Sequence, residues 1–280
     1  MPIHDQTYRR YDGSRQELGR GWLVILQNGV RTMLSRRAFV VLLVVAWAPF
    51  LVRAVQLYFV TNYPQAASFV PVDARMFHSF MDFQGIFVFF VTIFAGSGLI
   101  ANDRRANALQ IYLSKPLMRI EYIGGKLAVL VIYLFAITLL PGLLLILLQI
   151  LFSGSFDFIR HNLFLIPAVT LASLVRVLVS ASTMLALSSL SKSSRFVAVL
   201  YAGVIFFTDA VFGVLRVIFG STRVAWVSLT ANIDQVTDAI FRSPPRYETP
   251  LVVSILVLLG LLAISISVLE RRVRGVEIVS

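Results

Sequence analysis

Six stretches of this chain, 38–60, 83–101, 126–152, 163–190, 196–219 and 249–269, are apolar and long enough to cross a hydrocarbon core. Such a core is about 30 Å thick and takes about 20 helical residues. The expected fold is therefore an all-α integral membrane protein with six transmembrane helices. The expected organisation is an N-terminal segment at 1–37, a membrane domain at 38–269 and a short basic tail at 270–280. Only 14% of the 280 residues are charged and 58% are hydrophobic, against about 25% charged in a soluble domain.

The net charge of +11 could suit a nucleic acid, but the basic residues lie in blocks between the apolar runs. Six spans put both termini on one side. With the N-terminus inside, seventeen of the 25 basic residues fall in the inner segments, at 1–37, 102–126, 191–195 and 270–280. Only Arg75, Arg160, Arg223, Arg242 and Arg246 fall outside. This is the bias of positive-inside sorting, so both termini are expected in the cytosol, in a plasma (inner) membrane, with lipid rather than nucleic acid as the surrounding partner. The absence of cysteine excludes disulfides, thiolate metal sites and cysteine nucleophiles. The first apolar run is too long for the core of a cleavable leader, so none is expected.

Two further stretches have helical periodicity. Leu18, Trp22, Ile25, Gly29 and Met33 share a face that Arg20, Gln27 and Arg31 avoid, which reads as an amphipathic helix in the inner interface. Leu229, Ile233, Val236 and Ile240 mark a second helix on the outer side, ended by Ser243-Pro244-Pro245. Whether that helix does more than cap the bundle is open. Pro49, Pro141 and Pro167 fall within spans and are expected to kink them or shorten the regular helix.

Enzyme chemistry finds little to work with. His4, His78 and His161 read as lying outside the spans, without metal-ligand spacing. Ala95-Gly96-Ser97-Gly98 has the look of an intramembrane serine-protease motif, but no span supplies a base, and small residues for close helix packing are the better reading. Gly125-Lys126 could end a phosphate loop, but Ile120 and Leu127 stand where a glycine and a Ser/Thr are needed. Neither a catalytic nor a metal site is expected. Arg53, Arg176, Asp209 and Arg216 lie inside the spans, where each costs roughly 2.5–3.5 kcal/mol on insertion scales and normally faces water or a partner. They are candidates for a polar pathway or for structural pairs, and Asp209 reads as the only acid within the spans.

The segment between the second and third spans, residues 103–126, is charged, helix-forming and broken at Ser114-Lys115-Pro116. Asn102 is a candidate N-cap, and Pro116 forces Lys115 out of the α region and starts a second helix. Charge sorting alone does not explain its apolar positions Ala106, Leu109, Tyr112 and Leu113. The run Asp103-Arg104, Leu109, Ile111-Tyr112-Leu113, Ser114-Lys115-Pro116, Arg119, Glu121-Tyr122 and Gly125-Lys126 resembles the corresponding loop of ABC-2 type ABC transporter permeases. The plan of an interfacial helix, six spans, an external helix and a basic tail is similar over nearly the whole chain. Asn107-Ala108, Gln110 and Arg105 depart from the pattern of that family, where Gly-Thr and acidic residues are usual.

The resemblance implies a permease subunit without its own motor, dimeric with a second permease copy of the same or another kind. A cytosolic P-loop ATPase would dock on a coupling helix at the loop and supply the ATP-Mg, the permease itself carrying no cofactor. The docking residues it implies are Asn102, Asp103, Arg104, Arg105, Leu109, Tyr112, Lys115, Pro116, Arg119 and Glu121, with export favoured over import. Two other readings stay open: a membrane anchor or assembly factor recruiting a soluble complex, and an intramembrane enzyme. The 22 phenylalanines suit an apolar or amphipathic cargo and lipid contact equally.

Overall fold

The computed structural model describes residues 21–63, 73–108, 118–153, 160 and 162–273, and among these all regular structure is helical. Helix α1 covers Gly21–Leu34. The first span is two pieces, α2 (Arg37–Ala46) and α3 (Ala48–Asn62). The second is α4 (Ala74–Gly96), continued through a turn by the short α5 (Ala101–Arg105). The third is again divided, into α6 (Arg119–Ile137) and α7 (Leu139–Ser153). Then follow α8 (Leu165–Leu190) and α9 (Ser194–Phe219). A 3₁₀ turn (Thr222–Val227) leads to α10 (Leu229–Ile240), and α11 (Leu251–Arg272) is last. Among the described residues, six helical rods are long and apolar enough to cross a membrane, as the sequence implies.

The second span begins earlier than hydropathy suggests. Asp73 caps α4 by accepting hydrogen bonds from the Arg75 and Met76 backbone N–H groups, so the helix includes a polar first half before Phe83. His78 and Asp82 therefore lie on a span helix. This corrects the expectation that no span carries a histidine and that Asp209 is the only acid within them.

The prolines act unequally. The break at Trp47 precedes Pro49, and the break at Thr138 precedes Pro141. Pro167 sits in the first turn of α8, where its missing N–H is not needed, and α8 runs on without a break to Leu190. At this position the proline falls at the start of the regular helix, which begins at Leu165 rather than Leu163.

The centre of the bundle is α8, which packs against α4, α6, α9, α10 and α11 and buries residues on most of its circumference. By contrast α9 buries only Val197 and Tyr201, and Val199, Phe207 and Val217 point outward. Gly96, which sequence reading assigned to close packing, does pack, and Gly125 packs as well. Gly96 meets Leu130 and Met184, and at Gly125 the α1 backbone comes so close that a Cβ would lie 2.9 Å from the Trp22 carbonyl. Tyr133 donates a 2.8 Å hydrogen bond to the Val30 carbonyl, fixing α1 along α6.

Candidate functional site

Two polar constructions stand at opposite ends of the bundle. The first surrounds the loop at 106–118, where the described residues stop at Ala108 and resume at Met118. Asp103 Oδ2 lies 2.7 Å from Lys126 Nζ and accepts a 2.7 Å hydrogen bond from the Tyr122 hydroxyl, so the end of the second span is bonded to the start of the third. Arg104 donates to the Ser189 carbonyl at the end of α8. Ser188 Oγ accepts from the backbone N–H groups of Ile100 and Ala101, both at 3.1 Å, and donates to the Ser97 carbonyl. The turn between α4 and α5 thus has its polar groups satisfied by α8. Glu121 is buried and accepts from the Met118 N–H at 3.0 Å, closing the first turn of α6.

This assigns different duties to the expected docking residues. Asp103, Arg104 and Glu121 are engaged within the protein, whereas Asn102, Arg105 and Arg119 are exposed. Met118 and Ile120, 65% and 82% exposed, add an apolar surface beside Arg119. Helix α5 begins at Ala101 with Ile100 as its cap residue, so Asn102 is inside the helix rather than its N-cap. Leu109, Tyr112, Lys115 and Pro116 lie outside the described residues.

The second construction is an ionic cluster that brings α4, α8, α10 and the segment after α10 together. Arg246 is its hub. Its Nη2 bonds Asp82 Oδ2 and lies 2.9 Å from Asp238 Oδ1, its Nε donates to the same Asp238 oxygen at 3.0 Å, and its backbone N–H donates to Asp238 Oδ2 at 3.1 Å. Arg176 Nη2 lies 3.5 Å from Asp234 Oδ1 and 3.9 Å from Asp82 Oδ1. His78 Nε2 is 2.9 Å from Asp238 Oδ1 and 3.0 Å from Arg246 Nη2. It donates to the carboxylate only when protonated at Nε2 and accepts from the guanidinium only when not.

Burial sets the outer members of this cluster apart. Burial pushes Asp234 up to about 6, against the pull of Arg176 and Arg246. At Asp238 burial is outweighed by hydrogen bonds from His78 and Arg246, and its carboxyl falls below the ordinary value. Arg246, desolvated yet faced by Asp82, Asp234 and Asp238, is held more firmly protonated than usual. Tyr247 is raised by burial and by nearby acids. The guanidiniums occupy the space between the carboxylates, and among the described residues no group of three or more acidic or imidazole ligands is arranged to hold a metal.

Arg176, Asp82, Asp234 and Arg246 also line a cavity of about 560 Å³, together with Ser180, Thr230 and the apolar side chains of Ile86, Phe89, Phe90, Tyr201, Ile205 and Phe206. Of the four intramembrane charges that sequence reading singled out, only Arg176 is in this cavity. Asp209 accepts from the hydroxyls of Ser228 and Thr230 at 2.5 and 3.1 Å, tying α9 to the start of α10. Arg53 donates to Gln56 Oε1 and Ser79 Oγ, at 2.9 and 3.0 Å. Arg216 is exposed beside Gly220, Ser221 and Glu248. Asp209 and Arg216, although two turns apart on one helix, serve separate places.

Sequence reasoning gave no site role to His78, Asp82, Asp234, Asp238 and Arg246, all of which it placed outside the spans. The available signal was the spacing of Asp234 and Asp238, one turn apart on the amphipathic helix it did find. No protein-family model and no curated protein matches the sequence.

Proposed function

We propose that the chain is the membrane-spanning permease subunit of an ABC-type transporter, driven by a separate P-loop ATPase that binds ATP-Mg and docks on the loop at 102–126. The observation that carries this reading is the bonding of that loop's base. Through Asp103, Lys126, Tyr122, Arg104 and Ser188, three spans are tied to one short segment, so a push on the loop moves α4, α6 and α8 together. Two of those helices, α4 and α8, also wall the cavity at the other end of the bundle. A motor at one end is thereby linked mechanically to a ligand-sized space at the other.

The remaining parts follow from the same reading. The distribution of basic residues favours cytosolic termini and a cytosolic loop, in the plasma membrane. Helix α1, close on α6 beside the loop, would lie in the inner interface. The exposed apolar faces of α9 and α11 leave room for a second permease copy as well as lipid. The direction favoured is export.

Purification in mild detergent from the native membrane, followed by identification of what accompanies the chain, is the deciding experiment. A stoichiometric P-loop ATPase supports the proposal. A soluble partner without nucleotide-binding motifs favours a membrane anchor instead. No partner after crosslinking from positions 105 and 119 returns attention to an enzyme built on the ionic cluster.

A further inference from the structure

The cavity beside the ionic cluster is asymmetric in a way that selects a ligand. One side is aromatic. Phe89 stacks on Tyr201 at 5.9 Å and meets Phe206 edge-on at 5.4 Å. Ile86, Phe90 and Phe206 are 51%, 51% and 61% exposed, so the space opens sideways between α4 and α9, toward where lipid tails would lie, and not only along the bundle. A molecule that enters this way needs an apolar body.

The other side is charged, and the charges do not balance. On the cavity wall Asp82 and Asp234 face Arg176 and Arg246, and behind the wall Asp238, paired with Arg246 and His78, brings the whole cluster to one negative charge in excess while His78 is neutral. Asp209 stands next to the cavity through its hydrogen bond from Thr230 and adds to the same sign. Asp82 Oδ1 is buried and accepts no hydrogen bond. Arg176 is only 6% exposed, and its Nε and Nη2 donate none. Buried polar atoms of this kind carry a desolvation cost that a matching partner relieves. A donor is wanted at Asp82 and an acceptor oxygen at Arg176. An added anion would deepen the excess negative charge of the cluster, whereas an added cation neutralises it.

We propose that this cavity binds an amphipathic amine, its protonated nitrogen at Asp82 and Asp234, a neighbouring oxygen at Arg176, and its apolar body among Phe89, Phe90 and Phe206. Aromatic walls next to a cationic head add a favourable cation–π component. That such a molecule is the cargo rests on the transport reading; that it binds does not.

The test uses the full chain in lipid nanodiscs at pH 7.5 and the fluorescent amine dansylcadaverine, with its N-acetyl derivative and a dansyl carboxylate of similar length as comparisons. Saturable binding of the amine is expected, at least tenfold tighter than of either comparison, and weakened at least tenfold by Asp82→Asn. Phe206→Ala, at a position with most of its side chain exposed, is expected to weaken it severalfold without changing thermal stability, and decides the matter if the Asp82 variant fails to insert. Equal binding of amine and acetylated probe, tighter binding of the carboxylate, or no effect of either variant overturns the assignment. Because the assay contains no ATPase, a negative result together with a co-purifying ATPase removes this cargo class and leaves the permease reading standing. A positive result with no ATPase partner does the reverse.

Discussion

The side-chain amide of Gln84 donates to the Ile137 carbonyl, the acceptor that Pro141, four residues further on, has no N–H to serve. The same nitrogen donates at 2.9 Å to the Ala46 carbonyl, at the break before Pro49. One fully buried side chain on α4 thus holds the broken points of two neighbouring spans. In a hydrocarbon surrounding, unsatisfied carbonyls cannot turn to water.

Replacing Gln84 by Leu is expected to leave two buried carbonyls without donors, at about 1–3 kcal/mol each. The variant should insert but melt well below the parent chain in detergent. Gln84→Glu should be at least as damaging, because an ionised carboxylate can only accept. A melting temperature unchanged by Gln84→Leu would show that the two breaks do not depend on this amide.

On the permease reading proposed above, docking of the ATPase and transmission at the loop end are expected to separate by residue. Arg105→Glu changes an exposed charge and should reduce recovery of the ATPase partner with little effect on melting. Asp103→Asn removes the charge that pairs with Lys126 and should leave the partner bound while lowering transport per ATP hydrolysed. Arg104→Glu, which loses the bond to Ser189 O, should resemble the second class rather than the first. Loss of partner binding in all three variants alike would refute the division.

The spans were legible in the sequence because hydrophobic length is a one-dimensional signal, and so was α10, from Leu229, Ile233 and Val236, all of which are buried. The ionic cluster was not. Its members sit 78, 82, 176, 234, 238 and 246 along the chain, and only the folding of α10 back against α4 and α8 brings them together. Hydropathy also hid the first half of α4, where Arg75, His78, Ser79 and Asp82 dilute an apolar run that the helix nevertheless continues. Two of the polar residues that obscured the helix, His78 and Asp82, belong to the cluster.

Gly85 makes the Arg176 position available. A Cβ there would lie 2.1 Å from Arg176 Nη1. Gly85→Ala should therefore displace the guanidinium from beside Asp234 and Asp82, a loss that the gain in helix propensity of α4 offsets only in part, and amine binding should fall at least tenfold. Retained binding in this variant would mean that Arg176 does not position the ligand.

Asp234 titrates at about 6 in the folded chain because burial opposes its charge, against an ordinary value of 3.8. Between these values the folded state holds the proton more tightly than the unfolded state. The stability this group contributes is therefore fully present below about pH 4 and is lost as pH rises through 6. From pH 5 to pH 7 the loss is about 1 kcal/mol. Asp238, held below its ordinary value, stays ionised throughout that range and adds no slope. Thermal melts of the parent chain and of Asp234→Asn at both pH values isolate the effect from other titrating groups. The variant should gain on the parent at pH 7 relative to pH 5. An equal difference at the two pH values, or a gain at pH 5, would place the protonation of the cluster elsewhere.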